Sequence, residues 1–387
     1  MTAASQSRAA KMIPEGSICA FWPRSPPSHM PVALMFLHRS SLLGGTMKSV
    51  QRVAGAIEIR ESDLPVPGPD QALIRMSSCG VCHSDLHLAR GDWKFATGDG
   101  PLGHEGIGIV EALGPGAEAS VSIGDRVILG LGGTGGEYWC GKCRYCIEGE
   151  PRHCANSTGI IGTFAEHFAV WAPSLVVLPD SVSDMEAPLA CGGLTAYGAV
   201  KKLTAHRITP GRTVAIVGAA GGLGHYAVQL AAAFGYRVIA IDVGADRLKF
   251  AKEMGAEVAI DATEAREVIA RDFGGVDAAI VFTANIAGYQ LGFDILGKQG
   301  LFVAVGLPAT SQGSFEVDPF MMFIKDPTII FSAVGTVQDM RELVDLAARG
   351  VVKSHISRVG GLEDLPEIFD ELEASAYLGR AVLTFTP

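Results

Sequence analysis

The chain reads as a two-domain α/β protein, with a doubly wound parallel sheet joined to a β-rich domain. Three observations predict this. Its 387 residues suffice for two domains of ordinary size. From about residue 195, short apolar runs alternate with helix-length segments, the pattern of a parallel sheet with crossover helices. Before that point, glycine and proline break the apolar runs at short intervals, the pattern of turn-linked strands.

The first 46 residues differ from the rest of the chain. They carry Arg8, Lys11, Arg24 and Arg39 against one acid, Glu15, and show no sustained helical or strand period. The apolar run 31–37 is too short to cross a bilayer. An arginine-rich, acid-poor segment fits an organelle-targeting peptide, and a disordered tail is a second reading. The favoured reading is an extension upstream of a natural start at Met47. The β-rich domain is then expected over 47–191 and 334–387. In it, Pro65, Pro67, Gly68 and Pro69 form a turn before a strand at 72–76, with further strands at 107–113 and 126–131. The parallel-sheet domain is expected over 192–333, with strands at 213–217, 238–241, 258–260, 278–282, 301–305 and 329–333. After the first of these, Leu223, Ala227, Leu230, Ala231 and Phe234 recur at helical spacing until Gly235 stops them. Helices at 340–348 and 365–372 and a closing strand at 381–385 complete the chain.

Composition narrows the function. The chain is 48% hydrophobic with a net charge of −10, and a nucleic-acid partner would need clustered lysine and arginine. No apolar stretch reaches the ~18 residues of a transmembrane helix. Cysteines available as metal-binding thiols suit a reducing compartment, so a cytoplasmic location is expected.

Six of the eight cysteines fall into two metal-site patterns. Cys140, Cys143, Cys146 and Cys154 are spaced Cys-x2-Cys-x2-Cys-x7-Cys. Four thiolates complete a tetrahedral zinc, so this site would rigidify a loop, flanked by Gly132, Gly133, Gly135 and Gly136. An iron–sulfur cluster is the rival, but that motif places its fourth cysteine after three residues and before a proline; here Ala155 comes next. The second set is dispersed: Cys82 in Gly80-Val-Cys82-His83-Ser84-Asp85-Leu-His87, His104 in Gly103-His104-Glu105-Gly106, and Cys191 in Leu189-Ala-Cys191-Gly192-Gly193. Two thiolates and an imidazole leave one position for a substrate, the arrangement of a catalytic zinc. Cys19 and Cys79 read as ordinary thiols.

The strand at 213–217 runs into Gly218-Ala-Ala-Gly221-Gly222-Leu223-Gly224, and Asp242 closes the next strand 18 residues after Gly224. Strand, glycine loop, helix and acid form the Rossmann dinucleotide fingerprint, with phosphates on the helix N-terminus and the acid on the ribose. The first glycine pair is one residue wider than the common spelling. A carboxylate at Asp242 would repel a 2′-phosphate and favours NAD over NADP.

In this order, these pieces resemble the medium-chain zinc alcohol dehydrogenase family across 47–387, a subset of which shares the wider glycine loop. The resemblance implies a GroES-like catalytic domain around an inserted Rossmann domain, two Zn2+ per chain, NAD, and interconversion of an alcohol with its aldehyde or ketone by hydride transfer. It implies Cys82, His104 and Cys191 as ligands of the catalytic zinc. Asp85 and Glu105 would stand behind them, one holding the imidazole and the other behind the metal. Ser84 would take the alcohol proton, and His87 would pass it on through the cofactor ribose. His83 and Arg380 would face the pyrophosphate, Arg247 the adenosine ribose, and Val305 and Leu307 the nicotinamide. Trp93 matches a pocket aromatic, while the glycine-rich stretch 130–139 is longer than the family's and leaves pocket size open. The segment 315–332 resembles a subunit-pairing region, so a homo-oligomer, a tetramer by length, is implied. A polyol, threonine-type or aldehyde-forming dehydrogenase is the nearest alternative, although Cys191 as third ligand favours the alcohol branch. A non-catalytic nucleotide-binding relative would lack the zinc ligands.

Overall fold

The structure, a computed structural model, describes residues 45–93, 98–130 and 138–385. Residues 1–44 of the expected extension lie outside the described residues. Its last residue, Thr46, belongs instead to the first strand, paired opposite Asp63. That strand, β1 (Thr46–Val53), forms a hairpin with β2 (Ala56–Asp63). The two-residue turn Ala54-Gly55 has positive φ at both positions, 49° and 83°, which matches the twist of the strands it joins. The sequence does not announce this hairpin because β2 is solvent-facing along nearly its whole length and its apolar alternation stops after Ile57 and Ile59.

β3 (Gln71–Val81) is the axis of the β-rich domain. It pairs antiparallel with β4 (Gly106–Leu113), with β6 (His167–Trp171) and with the last strand of the chain, β14 (Arg380–Thr384). β5 (Arg126–Leu129) extends the sheet beyond β4. Thus strands from before and after the parallel sheet build one mostly antiparallel sheet, with the parallel sheet inserted between them in sequence.

All six expected parallel strands are present: β7 (Thr213–Val217), β8 (Arg237–Asp242), β9 (Val258–Asp261), β10 (Val276–Val281), β11 (Leu296–Ala304) and β12 (Thr328–Phe331). Their order is β9-β8-β7-β10-β11-β12 with every neighbouring pair parallel. Alternate residues of β7 feed opposite cores: Val214 and Ile216 one face, Ala215 and Val217 the other. Burial on both faces explains why these strands read as unbroken apolar runs. The strand order reverses between β7 and β10, and in open α/β sheets ligands bind at the strand C-termini of such a switch point.

The helix α2 (Gly192–Ala205) packs against both α3 (Gly224–Ala233) and α4 (Val337–Ala348). Ile107 and Ile128 of the antiparallel sheet share one core with Leu189, Leu194, Val214 and Leu343. The two domains therefore meet across continuous apolar packing, with Cys191 at the start of α2 on that seam. Beyond β11, the helix Pro319–Lys325 and edge strand β12 leave Phe320, Phe323 and Phe331 at 66%, 86% and 70% exposure.

Candidate active site

Chain geometry at the end of β3 sets the first group. Cys82 is the cap of α1 (His83–Arg90), and Asp85, three residues on, folds back so that its Oδ2 accepts the Cys82 N–H at 3.0 Å. The other oxygen, Oδ1, lies 2.7 Å from His104 Nδ1 and accepts the Gly103 N–H at 3.2 Å. One fully buried carboxylate thus caps the helix and orients the imidazole, turning His104 Nε2 away from it. Cys191 arrives from the end of the 3-10 helix Asp184–Ala190. Donor atoms of Cys82, His104, Glu105 and Cys191 all lie within 4.8 Å of one another, and every one of these residues is buried.

The electrostatics of this cluster suit a cation. The Cys191 hydrogen bond, outweighing burial and joined by His104 and Arg380, holds the Cys82 thiol well below its ordinary range. Cys191 is correspondingly raised by its interaction with Cys82 and by burial. Burial pushes Glu105 up to about 7 against the pull of Arg380. Glu105 is nonetheless tied down: Oε1 accepts the Gly192 N–H at 3.0 Å and Oε2 pairs with the Arg380 guanidinium. Arg380 Nη2 also donates to Val81 O at 3.0 Å, while Nη1 is buried with no hydrogen-bond partner among the described residues. Arg380 thus braces Glu105 through its guanidinium, and its Cδ and Nε lie along the glycine loop at Gly222, the loop expected to face the pyrophosphate.

The four-cysteine loop forms a second cluster, its donor atoms again within 4.8 Å of one another. Cys143 caps the one-turn helix Arg144–Ile147, and the turn Pro151–His153 delivers Cys154. Sγ separations of 3.5 Å for Cys143–Cys146 and 3.6 Å for Cys140–Cys154 approach the ~3.8 Å edge of a tetrahedron with ~2.3 Å zinc–sulfur bonds. Both donor sets fit zinc in atom type and convergence. Cys79 is different: it is buried against Thr163 Oγ1 at 3.1 Å, and burial pushes its thiol up to about 12. Gly132, Gly133, Gly135 and Gly136, and Cys19, lie outside the described residues.

On α1, Ser84 is half-buried and His87 comes one turn later on the same side. His87 has a partner that its sequence context does not reveal. Asp92 Oδ2 lies 2.7 Å from His87 Nδ1, and the Trp93 ring packs 5.0 Å from the imidazole. Gly91, with φ 72°, ends the helix and returns Asp92 toward His87 O. With Nδ1 donating to the carboxylate, Nε2 bears the lone pair, and it is buried without a hydrogen-bond partner among the described residues. His83 is exposed at the helix start.

The glycine loop joins β7 to α3 at the switch point of the sheet. Leu223 caps α3 and Gly224 begins it; a Cβ on Gly224 would fall 2.0 Å from Gly218 O, so only glycine lets the helix start this close to β7. Gly221 and Gly222 span the turn between them. Asp242, at the end of β8, accepts the Ala220 N–H at 2.8 Å and the Val243 N–H at 2.9 Å. It therefore holds the loop as well as offering charge. Arg247 lies 3.9 Å from Asp242 and donates to Ser375 O at 2.8 Å. Val305 comes directly after β11 and bonds Val281 O, and Leu307 is 52% exposed nearby in sequence.

Similarity to known proteins points the same way. Residues 68–180 match the alcohol dehydrogenase GroES-like domain, and residues 222–349 match the zinc-binding dehydrogenase domain. An alcohol dehydrogenase from Geobacillus stearothermophilus is 36% identical over 341 residues, covering 85% of this chain and 95% of the relative. The solved alcohol dehydrogenase of the hyperthermophilic archaeon Aeropyrum pernix superposes with a TM-score of 0.78 at 34% identity, covering 87% of this chain and all of that one. An acetophenone reductase from Geotrichum candidum NBRC 4597, solved in complex with NAD, superposes with a TM-score of 0.76 at 27% identity, covering 88% of this chain and 97% of that one.

Proposed function

Because the chain belongs to the zinc-dependent medium-chain alcohol dehydrogenase family and is an oxidoreductase of alcohols and carbonyl compounds, we propose that its chemistry is centred on Cys82, His104 and Cys191. The single observation carrying this is the buried convergence of two sulfurs and one imidazole from three chain segments far apart in sequence. When bound there, zinc supplies a Lewis acid that makes the alcohol oxygen more acidic, and NAD supplies the hydride acceptor. The chain's own groups do the rest. Asp85 fixes the His104 ring, and Glu105 stands beside the donors, restrained by Arg380 and Gly192. Ser84 accepts the alcohol proton and His87 Nε2 relays it; Asp92 keeps the His87 proton on Nδ1, so that Nε2 is the receiving atom. The loop from Gly218 through Gly221, Gly222 and Leu223 to Gly224 presents backbone N–H groups to the phosphates. Asp242 receives the ribose hydroxyls and disfavours a 2′-phosphate. His83, Arg247, Arg380, Val305 and Leu307 complete the cofactor cleft, and Trp93 forms one wall of a pocket for a small alcohol. Cys140, Cys143, Cys146 and Cys154 hold a second zinc with no chemical role.

The catalytic domain in this reading is 47–191 with 334–387, and the dinucleotide domain is 192–333. A homo-oligomer, in the finer reading a tetramer, is supported by the exposed phenyl rings beside edge strand β12. Among the described residues no helix is long and apolar enough to cross a membrane. A cytoplasmic location is proposed from the unpaired thiols. Two measurements test the proposal: metal content, expected at about two zincs per chain, and a panel of primary, secondary and aromatic alcohols with NAD and NADP. A single zinc held by the four-cysteine loop, with no alcohol turned over, would refute it.

A further inference from the structure

His225, the second residue of α3, is fully buried. Its ring centroid lies 3.8 Å from that of Tyr226 and 6.3 Å from that of Phe250, tilted by 38° and 37°. A buried imidazole is costly unless both nitrogens are partnered, and both are. Nδ1 lies 3.1 Å from Gly221 O, and Nε2 lies 3.4 Å from the backbone nitrogen of His355. A carbonyl can only accept and a backbone N–H can only donate, so Nδ1 carries the proton and Nε2 the lone pair. Burial pushes the conjugate acid of this ring down to about 3, overcoming the Gly221 carbonyl, and the neutral tautomer persists across working pH.

The two partners belong to different parts of the site. Gly221 lies in the glycine loop. His355 precedes β13 (Ile356–Gly360), and its carbonyl accepts the Arg380 N–H at 2.8 Å. One helical turn on, Gln229 repeats the link: its Nε2 donates to Lys353 O and its Oε1 accepts the Lys353 N–H, both at 3.0 Å. The peptide plane supplies the consequence for the loop. The Gly221 carbonyl and the Gly222 N–H belong to one trans peptide and point in opposite directions. A carbonyl drawn inward by the ring, in addition to its 3.2 Å bond from the His225 backbone N–H, turns the Gly222 N–H outward to where phosphates would rest.

We propose that His225 is a positioning residue for the dinucleotide: it fixes the Gly221–Gly222 peptide and anchors it to the 353–355 segment that precedes Arg380 in the sheet. The proposal rests on the reading of this loop as an NAD site. The test compares three substitutions in the zinc-loaded full chain by NAD titration of intrinsic fluorescence and by steady-state kinetics. His225→Leu removes both bonds and is expected to raise the NAD dissociation constant about tenfold. Zinc content and the KM for alcohol should stay unchanged. His225→Asn puts an amide nitrogen near the place of Nδ1 and should recover most of the affinity. His225→Gln puts an oxygen near the place of Nε2 and should behave like the leucine variant. A leucine variant that binds NAD within twofold of the parent while melting lower makes His225 merely structural and overturns the proposal. Equal affinities for the Asn and Gln variants overturn it too, and that comparison decides alone if the leucine variant does not fold. A parent chain that fails to bind NAD removes the cofactor reading itself, an outcome distinct from a parent that binds and variants that match it.

Discussion

Asp242 has two roles in the proposed function, and two substitutions separate them. Its negative charge would face the cofactor ribose, and it accepts the Ala220 N–H at 2.8 Å, which holds the glycine loop. Asp242→Asn keeps an acceptor for Ala220 and removes only the charge. Unit charges ~4 Å apart interact by ~4 kcal/mol at an effective dielectric of ~20. Arg247, 3.9 Å from the carboxylate, and water in the cleft offset roughly half of that. The remaining ~2 kcal/mol is about a 30-fold loss of preference for NAD over NADP. Asp242→Gly removes the acceptor as well. A hydrogen bond to a charged group contributes ~1.5–3 kcal/mol, so NAD affinity should fall about 10- to 100-fold further. The assay is kcat/KM for each cofactor at fixed alcohol, with dissociation constants from fluorescence titration. An asparagine variant that keeps the parent's NAD-to-NADP ratio would remove the charge from its assigned role. A glycine variant that binds NAD as tightly as the asparagine variant would remove the loop contact.

Three further outcomes are expected. Cys82→Ala should lower zinc from two to one per chain and abolish turnover with little change in melting temperature; metal analysis beside an activity assay checks this, and an active variant would contradict it. Asp92→Ala frees the His87 tautomer and should lower kcat about tenfold with little change in KM for NAD, with Asp92→Asn intermediate; an unaltered kcat–pH profile in both variants would show that Asp92 does not act on His87. Burial raises the Glu186 carboxyl above its ordinary range, against the lowering bonds from Ser354. The folded chain therefore holds that proton more tightly than the unfolded chain, so its stabilising effect is present in acid and lost as pH rises through the raised value. Glu186→Gln, which still accepts the Ser354 N–H, should match the parent near pH 4 and exceed it near pH 8 in denaturant titrations; equal stability at both would sink the assignment.

Legibility in the sequence tracks locality and burial. The four-cysteine loop is readable because all its donors lie within one short stretch and free thiols are seldom clustered. The six parallel strands are readable because residues such as Val214 through Val217 are buried on both faces. Cys82, His104 and Cys191 can be joined only through family resemblance, since nothing local in a lone histidine or cysteine points to a metal. The β1–β2 hairpin escapes because its second strand faces solvent. Asp92 escapes because its reach to His87 depends on the left-handed turn at Gly91. The pairing of Glu105 with Arg380 spans 275 residues and has no local signature. His225, one histidine inside an apolar helix, carries no local signal, and only its two bonds distinguish it.

The phenyl rings of Phe320, Phe323 and Phe331 set a practical condition on handling this chain. A single copy wets three aromatic side chains, and their transfer from water to any greasy neighbour is favourable with almost no enthalpy change. Stocks diluted to nanomolar concentration would therefore lose activity with time as these rings adhere to vessel walls, whereas a carrier protein or a trace of non-ionic detergent would slow the decay.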